Sequence, residues 1–298
     1  MKSSWPVAFV VAAIAILRMT QANSDEPGKA PTAVGDLMRG KDAGQVRDDN
    51  GLKMKLVWCP PGKFTMGSPE TETPRLSNEA QVDVNLTRGF WFGKFEVTRS
   101  EWKQLMATEP WKGKSVTDEG DEFPAVWVNR QDAMDFCRKL TKDERRAGRM
   151  PEGWEYTLPT EAEWERACRA GTETRFNFGD DRSKLGEYAW FDDTGFTRAG
   201  NGHPVGLKKP NLWGLHDMHG NVWEWCRDCY ADKLPGGRDP KVTEQDTECV
   251  IRGGCVGFWC HKTEGVDNYR SARRSSLKPS YANQHLGFRV AFSPTGNM

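Results

Sequence analysis

Leu158-Pro159-Thr160-Glu161-Ala162-Glu163-Trp164-Glu165 is the stretch from which the rest of the chain can be read. Thr160 and Glu163 have the spacing of a capping box, in which hydroxyl and carboxylate each satisfy a backbone N–H at a helix start. Trp164, Ala167 and Cys168 then fall on one helical face, and Gly171 stands where a left-handed terminator belongs. The stretch predicts a short amphipathic helix with an indole turned inward.

Two further helices follow the same rules. Thr98 and Glu101 form a capping box ahead of Trp102, Leu105 and Met106, and Asn129 opens a helix with Asp132 in its first turn and Ala133, Phe136, Cys137 and Leu140 on its apolar face. Between the helices lie short β segments bounded by Gly, Pro or polar residues: Leu56-Val57-Trp58, Phe90-Trp91-Phe92, Val250-Ile251-Arg252 and Phe288-Arg289-Val290. Regular structure this sparse leaves much backbone to be held by other means. Buried indoles, disulfides and bound metal ions are the available ones.

The 298 residues carry 42 Lys+Arg against 42 Asp+Glu, so no basic field draws the chain to nucleic acid or anionic lipid. Lys2, the apolar run Trp5 to Leu17, and Thr20-Gln21-Ala22 read as a signal peptide over residues 1–22. The run is shorter than the roughly 20 residues that span hydrocarbon, and Arg18 ends it. Export to the periplasm or the extracellular space follows, without stable membrane insertion once the leader is removed, and there the eight cysteines can oxidise. Residues 23–51 lack periodicity and read as a flexible arm, and residues 52–294 as one domain.

Several phrases stand in a telling order. Pro60-Pro61-Gly62-Lys63-Phe64-Thr65-Met66-Gly67-Ser68 and Phe95-Glu96-Val97-Thr98 precede the opening stretch, and Gly220-Asn221-Val222-Trp223-Glu224-Trp225, Arg252-Gly253-Gly254 and Leu286-Gly287-Phe288-Arg289 follow it. Together they resemble the formylglycine-generating, or sulfatase-modifying factor, family over nearly all of residues 52–294. The resemblance implies an α+β, C-type-lectin-like domain, loop-rich with few short helices and strands. It also implies an O2-dependent oxidation of a substrate cysteine in a protein such as a sulfatase.

Asp217-Met218-His219-Gly220-Asn221-Val222-Trp223-Glu224 offers two carboxylates around a glycine, hard oxygen ligands of the kind Ca²⁺ prefers. In the family this segment holds a structural calcium, and the match falls on Asp217, the carbonyls of Gly220 and Val222, and Glu224. A second family calcium site near Tyr188 to Phe196 does not carry over, because Trp190 replaces a side-chain amide.

The family's catalytic step uses two cysteines that bind Cu(I) and then O2, and thiolates are soft enough to hold that ion. Cys255 and Cys260 have the family's separation, yet Cys255 directly follows the glycine pair, in the place of a family serine. Phe258 takes the first catalytic position counted forward, and His261 and Val266 take the pair counted backward from Tyr269-Arg270-Ser271-Ala272-Arg273-Arg274. A shifted loop would still bring Cys255 and Cys260 together as the catalytic copper pair. Cys226-Arg227-Asp228-Cys229 is alternatively half of a zinc site with Cys249, Cys255, Cys260 or His261. Cys137 and Cys168 match family half-cystines whose partners fall here on Val290 and Ser271. Two functions therefore compete: a formylglycine-generating oxidoreductase, and a binding module that takes a peptide or glycan in the same groove without chemistry.

Overall fold

The computed structural model describes residues 1, 38–114, 120–191, 202–243, 248–257 and 268–295. Its strands in chain order are β1 (Val46–Arg47), β2 (Leu56–Cys59), β3 (Gly62–Met66), β4 (Val82–Leu86), β5 (Phe90–Gly93), β6 (Trp154–Thr157), β7 (Trp223–Cys229), β8 (Gly237–Arg238), β9 (Cys249–Arg252), β10 (Arg274–Leu277), β11 (Leu286–Gly287) and β12 (Ala291–Pro294). The helices are α1 (Arg99–Met106), α2 (Arg130–Arg146), α3 (Glu161–Arg169) and α4 (Leu185–Tyr188). Three sheets form, in the orders β1-β2-β5-β12-β6, β10-β9-β7-β11 and β3-β4-β8. This is the loop-rich α+β architecture expected of a C-type-lectin-like domain.

Both expected capping boxes close, at Thr98/Glu101 and Thr160/Glu163, and Asn129 and Asp132 form a third. The left-handed residue that ends α3 is Ala170 at φ 48°, one position before Gly171, which also has positive φ. Phe288-Arg289-Val290 is not a strand. Its apolar–polar–apolar pattern reads as one, but the Arg289 side chain turns inward and is fully buried, and the paired segments flank it as β11 and β12. The start of the domain also moves. β1 pairs antiparallel with β2, the Arg47 guanidinium lies 5.2 Å from the centre of the Trp91 ring, and Trp91 Nε1 donates to the Met38 carbonyl, so residues 38–51 belong to the fold and not to the arm. The leader, apart from Met1, lies outside the described residues.

Indoles hold the core as anticipated: Trp154, Trp164 and Trp225 are fully buried. A second device was not anticipated. Glu161 and Glu165, one turn apart on α3, meet arginines from distant segments. Arg274 grips Glu161 through Nε and Nη2 at 2.8 and 2.7 Å, and Glu165 takes Arg169 Nε at 2.9 Å and Arg252 Nη2. Arg270 holds Glu79 in the same two-pronged manner at 2.7 and 2.8 Å. Burial alone would push the Glu165 carboxyl up, but Arg169 and Arg252 outweigh it and hold it below the usual carboxylate range. The opening stretch is therefore a charged hub that ties α3 to β9 and β10.

Candidate functional site

Two neighbouring features extend from the hub along β7: a buried acidic cluster at its start and a cavity beside it. Glu224 links them. Arg289 donates to both its oxygens, at 2.8 and 2.6 Å, and Trp164 Nε1 adds a third bond at 2.7 Å. Two more carboxylates share this region. Asp217, at φ 59°, accepts from the Gly206 N–H through Oδ2, but no donor reaches Oδ1. Glu96, 1% exposed, has no donor on either oxygen, and Arg289 Nη2 stays 3.9 Å from Oε2.

Three buried carboxylates thus face one guanidinium, a local excess of negative charge. Burial raises Glu96 well above its ordinary range, with Asp217 adding to the effect and Arg289 opposing it. Burial likewise pushes Asp217 up to about 6 against the Gly206 bond. Gly220 has a steric reason to be glycine, since a Cβ there would lie 2.1 Å from the Trp190 carbonyl oxygen.

The donor set is all oxygen, which suits a hard cation, and Asp217 Oδ1 is open to one. Among the described residues no three His, Cys, Asp or Glu side chains converge as a metal cluster. The same finding removes the zinc trio of Cys226, Cys229 and Cys249.

Beside β7, Trp223, Ile251, Asn268, Arg273, Tyr281 and His285 line a cavity of about 190 Å³. Strand pairing builds it: β11 runs parallel to β7 with Leu286 opposite Trp223, and the Trp223 N–H donates to the His285 carbonyl at 2.8 Å. The His285 ring is buried and bonded to the Val256 backbone, and its Nδ1 has no partner. Burial lowers its pKa to about 4, so the ring is neutral at neutral pH. Arg273 is held by Asn268 Oδ1 at 2.8 Å and the Arg274 carbonyl at 3.0 Å, with burial drawing it down to about 10. The cavity therefore offers aromatic walls and a cation, with a neutral imidazole in its lining.

Val256, which touches His285, follows Cys255. Cys255 is fully buried and disulfide-bonded, and the Tyr269 hydroxyl donates to its carbonyl at 3.1 Å. Cys59, Cys137, Cys168, Cys226, Cys229 and Cys249 are all buried thiols, so none of them is its partner. Cys260, Phe258, His261 and Val266 lie outside the described residues. A disulfide holds no Cu(I). Only its reduction yields thiolates soft enough for that ion. Burial pushes the Cys168 thiol up to about 12, while Ser271, in the place of its family partner, lowers it through a side-chain contact.

Residues 44–294 match the family model of the sulfatase-modifying factor enzyme 1-like domain. The chain belongs to the sulfatase-modifying factor family. It is 32% identical over 218 residues to a formylglycine-generating enzyme of Thermomonospora curvata, covering 66% of each chain. It is 27% identical over 295 residues to the mouse formylglycine-generating enzyme, covering 80% of this chain and 74% of that one. Among solved structures, PvdO from Pseudomonas aeruginosa is similar at TM-score 0.71 and 30% identity, with 85% of this chain and all of that one covered.

Sequence reading placed Trp223, Asp217 and Glu224 in this region but passed over Glu96, Arg273 and His285. Each of those lies in or directly beside a family phrase: Glu96 within Phe95-Glu96-Val97-Thr98, Arg273 within Tyr269 to Arg274, and His285 immediately before Leu286-Gly287. Among the described residues no helix is long and apolar enough to cross a membrane.

Proposed function

We propose that this family member oxidises a cysteine of a peptide substrate, such as a sulfatase segment, to formylglycine, with Cys255 and Cys260 as its redox-active pair. The observation that supports this is the disulfide at Cys255, made with none of the six other described cysteines and next in sequence to Val256, whose backbone bonds the ring of the cavity-lining His285. Four residues separate Cys255 from Cys260, the family's spacing. After reduction the two thiolates would hold Cu(I), which supplies activation of O2 when bound.

The chain's own residues prepare the substrate. Trp223 and Tyr281 give the peptide apolar walls, and Asn268 and Asn283 offer amides to its backbone. The Arg273 cation favours the thiolate of an incoming cysteine, and the neutral His285 ring completes the lining. The same reading includes a structural Ca²⁺ on Asp217, the Gly220 and Val222 carbonyls and Glu224, supported by the uncompensated charge of Glu96 and Asp217. Export by the leader at residues 1–22 completes it.

Anaerobic Cu(I) titration of the reduced protein tests the proposal. One Cu(I) per chain is expected, lost in Cys255→Ser and in Cys260→Ser and kept in Cys226→Ser. The binding-module reading draws on the full burial of Cys255. It predicts peptide binding with no copper uptake, and that result would replace the oxidase reading.

A further inference from the structure

β7 and β9 run antiparallel with Glu224 opposite Arg252 and Trp225 opposite Ile251, and the pairing resumes at Cys229 opposite Cys249. Between these points Cys226, Arg227 and Asp228 on β7 are faced by Val250 alone, a bulge that changes the register. In unbroken register Arg227 would stand opposite Cys249. The bulge is anchored by Asp228, whose two oxygens accept from the Glu161 and Val242 N–H groups at 3.0 Å each. Its effect is to set one cysteine against another.

The type of pair matters. Cys229 N–H donates to the Val242 carbonyl at 2.9 Å and Tyr230 N–H to the Glu248 carbonyl at 3.0 Å, so Cys229 and Cys249 sit at a non-hydrogen-bonded position of the ladder. Such positions bring Cα atoms to about 4.5 Å with side chains leaning together. That lies within the roughly 4.4–6.8 Å a disulfide requires. Both residues are buried thiols, 5% and 2% exposed. Cys226, the other half of the C-x-x-C, packs in a different hydrophobic cluster with Val250, whereas Cys249 packs with Trp225 and Ile251. The short motif is therefore not the pair.

We infer that Cys229 and Cys249 form a cross-strand disulfide when the chain folds in an oxidising compartment. One cysteine thiolate attacks the disulfide of a donor such as oxidised glutathione and displaces one of its thiolates, leaving a mixed disulfide. The second cysteine thiolate then attacks the protein sulfur of that mixed disulfide and releases the other donor thiolate. Two protein thiols lose two protons and two electrons, and the donor disulfide becomes two thiols. Because the pair is buried, the exchange belongs to folding, before the sheet closes. The link clamps β7, which carries Trp223 and Glu224, to β9, which leads into Cys255. It does not depend on any chemistry at Cys255.

Peptide mapping decides the matter, since trypsin separates the cysteines concerned: cleavage after Arg227, Lys241 and Arg252 puts Cys226, Cys229, Cys249 and Cys255 on different peptides. The full chain is refolded from denaturant with oxidised glutathione, alkylated and digested without reductant. The expected product joins residues 228–233 to residues 242–252 and is lighter than the two separate peptides by two hydrogens. Cys229→Ser should leave Cys249 alkylated. It should also shrink the melting-temperature drop caused by reductant by roughly 6–12 °C, the scale of a loop of this length in a domain of this size. Recovery of both wild-type peptides alkylated, or of either joined to Cys226 or Cys255, overturns the inference, and the wild-type map stands even where the variant fails to fold.

Discussion

Two groups of buried carboxylates share one domain and are treated in opposite ways. In the hub around α3, every oxygen of Glu79, Glu161, Glu165 and Glu224 accepts a hydrogen bond, mostly from a buried arginine. A few ångströms along the same network, Glu96 has no donor at all and Asp217 lacks one on Oδ1. In the first arrangement every carboxylate oxygen is answered within the protein, and the pairs tie distant segments together. The second is complete only with an added cation or an added proton, and it lies next to a cavity whose His285 nitrogen is likewise unanswered. Unanswered carboxylate oxygens, rather than charge as such, distinguish the second group from the first.

The sharpest way to break this contrast is to remove one charge from each group. Glu165→Ala leaves Arg169 and Arg252 without their carboxylate in a dry interior, and the expected loss is about 3–5 kcal/mol of unfolding free energy in urea. A loss below about 1 kcal/mol would show that the hub is not a unit.

His219 extends the comparison to pH. It is fully buried between the Asn177 N–H and the Tyr269 carbonyl, and burial lowers its pKa to about 4. The unfolded chain takes up the proton near pH 6.5 and the folded chain only near 4. The neutral ring thus contributes stability above pH 6.5 that is lost as pH falls toward 4, by about 3 kcal/mol at full depth. His219→Gln should therefore lose less stability than the wild type over that interval, measured by denaturant titration at each pH. Equal slopes would contradict the assignment.

The acidic cluster should answer to calcium. A ligand bound only by the folded state at about 100 times its Kd adds about 2.7 kcal/mol, so EDTA should lower the melting temperature at pH 7 and Asp217→Ala should abolish that response. Glu224 is the poorer site to test, because Arg289 and Trp164 need it whether or not a metal is present. With Asp217 raised to about 6, the metal-free protein loses stability as pH climbs from about 4 to 6, and protons compete with calcium below about pH 6. The calcium-induced gain should shrink at pH 5. A response that survives in Asp217→Ala would move the ion elsewhere.

Glu96→Gln is the mildest change. Replacing a carboxylate that no donor reaches should alter metal-free stability by less than about 1 kcal/mol, in contrast to Glu165. A loss as large as that at Glu165 would erase the distinction between the two groups.

What could be read from the sequence follows from range. Capping boxes are written within four consecutive residues, so Thr98, Asn129 and Thr160 announced their helices, and the ordered phrases announced the family. Apart from Arg169–Glu165, the hub's Arg–Glu pairs join distant residues, from 65 positions apart in Arg289–Glu224 to 191 in Arg270–Glu79, and nothing local marks an arginine as buried. Phe288-Arg289-Val290 shows the cost: its alternation suggested a strand because Arg289 was taken as facing solvent. Asp217 and Glu224 could be read together because they lie seven positions apart, whereas Glu96, Arg273 and His285 come from other segments.

The most direct test of the account is mass spectrometry of a cysteine-bearing sulfatase-motif peptide incubated with the reduced protein, Cu(I) and O2. The account predicts conversion of that cysteine to formylglycine, lost in Cys255→Ser and retained in Cys226→Ser. An unmodified peptide beside a protein that has taken up its copper would contradict it.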